Sequence, residues 1–258
     1  MKVAIHQPHY LPWLGYLAKM DVADRFVFLD TVQFEKNGWQ NRNKIRTLDR
    51  AVPAGRQDGA GGWQWLTVPV RAPLGTLIRE VVIDAVQPWA RKHCQAIRLN
   101  YARAPYFDRY VPQLEGLLSR PWHRLADLNV EVTRSLAAAF GISTETVLAS
   151  DLPVSSSDPT ERLLDLCRAL GADTYLAGRD GAGYMALERF REAGVSVLIQ
   201  EYRHPVYPQL HGEFVPFLSA LDLLLTHGEK GLPILRQGNS WVPLVTAKDA
   251  QASQGGEP

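Results

Sequence analysis

Four stretches of this chain gather imidazole, amide, phenol and cationic groups more densely than packing alone requires. The first is His6-Gln-Pro-His-Tyr-Leu-Pro-Trp-Leu-Gly-Tyr-Leu-Ala-Lys19. Imidazole exchanges protons near neutral pH, so His6 is a candidate catalytic acid or base. Gln7, His9 and Tyr10 are candidate hydrogen-bonding groups for a substrate, and Lys19 is a candidate cation for an anionic part of it. Pro8 and Pro12 stiffen the loop, which suits a preorganised site. A helix starting near Pro12 offers free N–H groups and a positive dipole end to an anion. The plainer alternative is a rigid turn whose histidines satisfy backbone groups.

The second stretch runs from Asp30 to Arg46. Asp30 closes an apolar run and is read as a catalytic carboxylate, although a metal ligand or a ribose acceptor would use the same group. Gln33 and Glu35 alternate with Val32 and Phe34, so they share one face of any continuing strand. Lys36, Arg42, Lys44 and Arg46 form a local cationic cluster. Arg42 and Lys44 alternate with Asn41 and Asn43, giving a charged face and an amide face. Guanidinium and ammonium groups so placed suit phosphate or pyrophosphate, with Gln33, Lys36, Asn41, Arg42, Asn43 and Lys44 as substrate-binding residues. A solvated hairpin edge is the alternative.

The third, Tyr175 to Tyr184, is strand-like and then glycine-rich, and Gly178 would let a ligand approach the backbone. The spacing Gly178-x-x-Gly181-x-Gly183 is neither the dinucleotide fingerprint nor a P-loop, so neither NAD nor a Walker site is expected. In the fourth, Glu201 to Glu213, His204 is a candidate catalytic residue, and Tyr207 and Gln209 are candidate substrate contacts. His204 and His211 are separated by two prolines in a loop, a spacing that matches no trusted zinc motif, and no metal is assigned. No GxSxG elbow is present, and Cys94 and Cys167 read as two buried thiols, not as nucleophiles or a disulfide framework.

These groups need elements to hold them. Val3–His6, Arg25–Asp30, Thr146–Ala149, Thr174–Ala177 and Val195–Tyr202 read as strands, with helical patterns between them. Trp63–Val70 and Leu77–Ile83 read as an antiparallel extension, and 89–101, 107–118 and 125–140 as helices. The fold class is therefore α/β: a mainly parallel Rossmann-like sheet with a small antiparallel extension and a helical middle insertion. The expected parts are residues 1–86, an N-terminal α/β part with the extension; 87–141, a helical insertion or cap; 142–248, the C-terminal α/β part; and 249–258, a disordered tail. Ligands of such sheets bind beyond the carboxyl ends of strands. That selects His6–Tyr10, Asp30–Lys36, Gly178–Gly183 and Tyr202–Gln209, and it predicts that the start of the chain and the region near 205 share one cleft.

The 258 residues and 46% apolar content allow a full core, and a net charge of +1 leaves no global field for nucleic acid or an anionic membrane. No apolar stretch approaches a membrane span or a signal peptide, so the expectation is a cytoplasmic protein.

The pieces HQPHYLPWLGYLAK (6–19), FLDTVQFEKNGWQNRNKIRT (28–47), WLTVPV (65–70), TERLLDLCRALGADTYLAG (160–178) and YRHPVYPQLHGEFVPFLSALDLLLTHG (202–228) resemble the WbqC-like family over nearly the whole chain. Thr31 stands where that family often has a second acidic residue, and Ala177 where it often has Ser, which weakens any scheme needing paired carboxylates at 30–31. The resemblance implies a place in O-antigen or other surface-polysaccharide biosynthesis, with transfer of glycine or another aminoacyl group to a nucleotide-linked amino sugar as the suggested activity. A strand, a histidine loop and a helix also suggest nucleotidyltransferases by analogy, with His6 and His9 near phosphates. The expected partner is a small molecule, such as a nucleotide sugar. The cofactor is left open, ATP or another nucleotide being the class that analogy admits, and so is the oligomeric state. The alternatives are a non-catalytic nucleotide-sugar-binding protein and a metal-dependent hydrolase using Asp30, Glu35, His204 and His211.

Overall fold

Val3, Ala4 and Ile5 are fully or almost fully buried because β1 (Lys2–His6) runs through the middle of a six-stranded sheet. The computed structural model describes residues 1–48, 62–183 and 185–244. The expected tail and the glycines at 59–61 lie outside them. The sheet order is β10-β9-β8-β1-β2-β7. Its members are β2 (Arg25–Phe28), β7 (Glu145–Leu148), β8 (Thr174–Ala177), β9 (Ser196–Tyr202) and β10 (Asn239–Pro243).

β1 pairs in parallel with β2 on one side and β8 on the other; β2 pairs in parallel with β7, and β8 with β9. Only β10 runs antiparallel, at the edge, where Pro243 removes no central ladder bond. The chain first winds from β1 outward through β2 to β7, then returns to β8 and winds the other way. The reversal falls between β1 and β8, which is the topological switch point of such a sheet.

Strand alternation divides the core between two faces. Val3, Ile5, Val27, Tyr175 and Val197 pack on one face with Leu163, Leu166 and Cys167 of α5 (Pro159–Ala169) and Phe190 of α6 (Leu187–Glu192). Ala4, Phe26, Phe28 and Leu176 pack on the other with Leu14, Leu17 and Ala18 of α1 (Leu14–Asp21). Burial of each such large apolar side chain contributes roughly 1.5–3 kcal/mol. α5 begins as its sequence suggests: Asp158 accepts from the Glu161 N–H at 2.9 Å, and Pro159 opens the first turn.

The middle of the chain forms α2 (Trp89–Tyr101), α3 (Phe107–Leu118) and α4 (Leu125–Phe140), and Gly141 closes α4 at φ 84°. Ile97, Leu114, Leu128 and Leu136 join the same core as α1 and as α7 (Leu221–His227). These helices are thus built into one face of the molecule.

The small antiparallel extension is present, but its strands pair differently from expectation. Trp63–Thr67, β4, pairs with Arg42–Arg46, β3, so the cationic stretch is itself a strand. Only β5 (Val70–Arg71) meets β6 (Val82–Ile83). α8 (Gly231–Gln237) follows α7, and β10 follows α8. Both cysteines are free; Cys167 is buried, and its thiol is pushed up to about 12 by burial, whereas Cys94 is only half-buried. No helix of the described residues is long and apolar enough to cross a membrane.

Candidate functional site

β1 ends at His6, and alternation turns that side chain to the Ala4 face, towards α1. Tyr16 and Lys19 lie three residues apart on α1 and so share a side of that helix. Beyond these strand ends opens a cavity of about 320 Å³. His6, Gln7, His9 and Lys19 line it from the β1–α1 side. Tyr175, Gly178 and Gly181 line it from β8 and the turn after it, and Glu35, Trp39 and Gln40 from the loop after β2. The cavity therefore lies at the switch point between β1 and β8. Its volume is near the lower end for small-molecule sites, the size of a sugar or an amino acid.

Two imidazoles meet edge to face, with ring centroids 4.6 Å apart for His6 and His9. The Tyr16 ring sits 4.6 Å from His6 and 5.3 Å from His9 and holds both. His6 Nδ1 lies 3.1 Å from the Gln7 carbonyl. A carbonyl only accepts, so the proton is on Nδ1 and Nε2 carries the lone pair. Burial, then the Lys19 charge, then His9 hold the His6 imidazole well below its ordinary range. Burial and Lys19 lower His9 from 6.5 to about 3. Both rings are therefore neutral at pH 7. His9 Nδ1 is enclosed with no hydrogen-bond partner among the described residues. An orphaned N–H is rarer than an orphaned acceptor, which favours the proton on its Nε2. The pair thus offers one acceptor and one donor.

Amides tie the walls together. Gln40 Nε2 donates to Gln7 Oε1 at 2.7 Å, and the Glu35 N–H donates to Gln40 Oε1 at 2.8 Å. From α4, Asn129 Nδ2 donates to the carbonyls of Gln40 at 2.7 Å and Pro8 at 3.1 Å. The Tyr10 N–H reaches the Trp39 carbonyl at 3.2 Å. The loop after β1 and the loop after β2 are thereby one unit.

Lys19 is almost wholly buried, yet lines the cavity. A Cβ built on Gly178 would lie 3.6 Å from Lys19 Nζ, so the absence of a side chain at 178 keeps the approach to the ammonium open.

Of the candidate residues singled out from sequence, His6, Gln7, His9, Lys19, Glu35 and Gly178 border this one cavity. The rest are elsewhere. Tyr10 is in the core, where its hydroxyl lies 2.9 Å from His93 Nδ1, while His93 Nε2 faces the Thr67 carbonyl at 3.2 Å. Asp30 is buried, and both its oxygens are engaged by Ser150: the N–H at 3.0 Å and the hydroxyl at 2.7 Å. It fastens the end of β2 to the turn after β7, away from the cavity lining. Asn41 and Asn43 are buried on the inner face of the hairpin and donate to the carbonyls of Val68 and Leu11 at 2.9 and 2.7 Å. Gln33 and Lys36 are exposed, Gln33 bridging to Leu77. Arg42 and Lys44 occupy the outer face of the hairpin, over indole rings.

The region near 205 packs against the start of the chain, with the Trp13 ring centroid 5.4 Å from Tyr202 and 6.1 Å from Phe217, but His204, Tyr207 and Gln209 do not line the cavity. The His204 ring packs against Tyr207, Phe214 and Phe217, with centroids 5.2 to 6.2 Å away. Tyr207 donates to Asp222 Oδ2 at 2.9 Å, and Gln209 clamps both backbone groups of Val215. β8 separates the end of β9, where this loop begins, from β1, and the loop folds onto α7. Nor does the expected helix N-terminus face the cavity: the Trp13 ring covers Gly15, whose Cβ would meet it at 2.2 Å. Asp30, Glu35, His204 and His211 do not converge; His211 Nε2 faces the Asn100 carbonyl at 2.8 Å, and among the described residues no three His, Cys, Asp or Glu side chains gather as a metal requires. Gln40 and Asn129 escaped sequence reasoning, because an amide in a run of amides, or one inside an amphipathic helix, carries no local signal.

The profile of the WbqC-like protein family matches residues 7–234. An uncharacterized protein of Mycobacterium tuberculosis is 33% identical over 239 residues, covering 91% of this chain and 97% of its own length. No solved structure matches the chain.

Proposed function

Since the chain belongs to the WbqC-like protein family, we propose that its cavity performs a group transfer in surface-polysaccharide or related biosynthesis, placing glycine or another aminoacyl group on an amino sugar. The observation that carries this reading is a neutral His6 imidazole, its Nε2 lone pair available, beside the Lys19 charge in a cavity of sugar size.

In this reading the sugar amine attacks the carbonyl carbon of an acyl ester donor. The C–N bond forms, and the carbonyl electron pair moves to oxygen. The attacking nitrogen is now an ammonium and strongly acidic, so even an imidazole of depressed basicity accepts its proton. His6 Nε2 takes that proton; the bond from Nδ1 to the Gln7 carbonyl fixes which nitrogen faces the reaction. Lys19 stabilises the oxyanion in a site of low dielectric. When the oxyanion collapses, the C–O bond to the leaving group breaks and the proton passes from His6 to that group. Gln7 and Gln40, locked to each other, orient the sugar hydroxyls.

The test is incubation with aminoacyl ester and thioester donors and a nucleotide-linked amino sugar, read as a mass gain of one aminoacyl residue on the sugar. His6→Gln should lower kcat by about 10²–10⁴-fold, the usual range for a positioned base. Ligand-dependent stabilisation without product across such a panel would replace transfer with a binding role.

A further inference from the structure

The hairpin register places Arg42, Lys44, Trp63 and Trp65 on one face, because Lys44 pairs with Trp65, Arg42 with Thr67 and Trp63 with Arg46, a third cation that is buried and donates to the Gly62 and Glu213 carbonyls. Asn43, Ile45 and Leu66 turn to the other face and are buried. Arg42 Cζ lies 4.3 Å from the Trp65 ring centroid. Lys44 Nζ lies 4.3 Å from Trp63, 5.1 Å from Trp65 and 5.8 Å from Trp39. One guanidinium and one ammonium thus share the Trp65 ring.

Indole faces hold these cations in place but do not neutralise them. Neither cation pairs with a carboxylate among the described residues, unlike Arg25, Arg71, Arg98, Arg109 and Arg236. Desolvation, and next the Arg42 charge, lower the Lys44 ammonium from its ordinary range. Arg42 Nη2 donates to the Asn37 carbonyl, while its Nε is enclosed with no acceptor among the described residues. Two like charges, fixed in geometry and paired with no carboxylate among the described residues, make a place for an anion.

This face adjoins the cavity. Trp39 lines the cavity, is 39% exposed, and its ring centroid is 5.5 Å from that of Trp65. A cavity of about 320 Å³ holds a sugar but not a nucleotide as well. We propose that Arg42 and Lys44, on their tryptophan platform, bind the phosphate or diphosphate ester of a ligand whose other end occupies the cavity, with Trp39 as the shared wall. The proposal rests on the cavity being a ligand site, and it names the ligand as a phosphate ester. Two cations suit one diphosphate; a nucleic-acid backbone would ask for a longer basic track than a chain of net charge +1 provides.

The experiment is calorimetric titration of the whole chain with inorganic pyrophosphate and with uridine diphosphate, with tryptophan fluorescence as a second signal. Both should bind, and Arg42→Gln with Lys44→Gln should weaken each by at least about tenfold. The charge-conserving Arg42→Lys with Lys44→Arg should retain most of the affinity, which separates charge from folding. No binding to the parent chain overturns the subsite. So does unchanged affinity in the double glutamine variant, or a loss produced by Lys19→Met instead, which would put the anion inside the cavity. Pyrophosphate held through Arg42 and Lys44 by a chain that transfers nothing would defeat the transfer reading and leave this subsite standing.

Discussion

Gln40 Nε2 donates to Gln7 Oε1 across 2.7 Å, so the loops following the first two strands close on each other at the cavity wall. Gln40→Ala removes this bond and also the acceptor for the Glu35 N–H. At about 1 kcal/mol net for each bond, the variant should lose about 2 kcal/mol in chemical denaturation. Affinity for a cavity ligand should fall more than affinity for pyrophosphate. An unchanged ligand affinity would show that the loops are held in place without the amide pair.

Gly178→Ala tests the open approach to Lys19. The new methyl would sit 3.6 Å from Lys19 Nζ, an ordinary contact, so the fold should lose less than about 1 kcal/mol. Ligand affinity should fall about tenfold or more, because the methyl fills the approach to the ammonium. A thermal melt and a binding isotherm on one preparation separate the two effects.

Acid sensitivity follows from three enclosed histidines. His9 drops from 6.5 to about 3 and His93 from 6.5 to about 4, both chiefly by burial, and His6 is lowered as well. Between the folded and unfolded values, the unfolded chain binds more protons than the folded one. Stability is therefore complete above pH 6.5 and declines as pH falls from there towards 4, by up to about 1.4 kcal/mol per pH unit for each histidine. Denaturation midpoints at pH 7.5, 6, 5 and 4.5 should show this slope, and His93→Gln should flatten it. A stability that rose on acidification would contradict the burial of these rings.

The loop from Tyr202 to Glu213 tests the separation of two clusters. Tyr207 and Tyr101 donate to the two oxygens of Asp222, at 2.9 and 2.8 Å. Tyr207→Phe should cost about 1.5–3 kcal/mol, as a hydrogen bond to a buried carboxylate does. Affinity at the cavity should stay within twofold. A specific loss of ligand binding, with stability intact, would return this loop to the site.

Much of the scaffold was legible because its signals are local. An apolar run ending in polar residues marks β1, one ending in a glycine-rich turn marks β8, and three- and four-residue spacing marks α2 to α4. The order of strands was not legible. Nothing near His204 reveals that β8 lies between β9 and β1, or that Tyr207 finds Asp222. Polar density alone also failed to sort roles. Asp30, Asn41 and Asn43 share their stretch with Trp39 and Gln40, yet the first three satisfy buried backbone and hydroxyl groups while the last two face the cavity. In β3 the alternation of amide and charge did read through, because a strand with one buried face enforces it.

The most direct measurement is a crystal structure of the chain with a nucleotide-linked amino sugar. The account places the sugar in the cavity, with its amine within hydrogen-bond reach, about 2.6–3.2 Å, of His6 Nε2 and its phosphates on Arg42 and Lys44. Density for the sugar against His204 and Tyr207, with the space between His6 and Lys19 left to solvent, would contradict it.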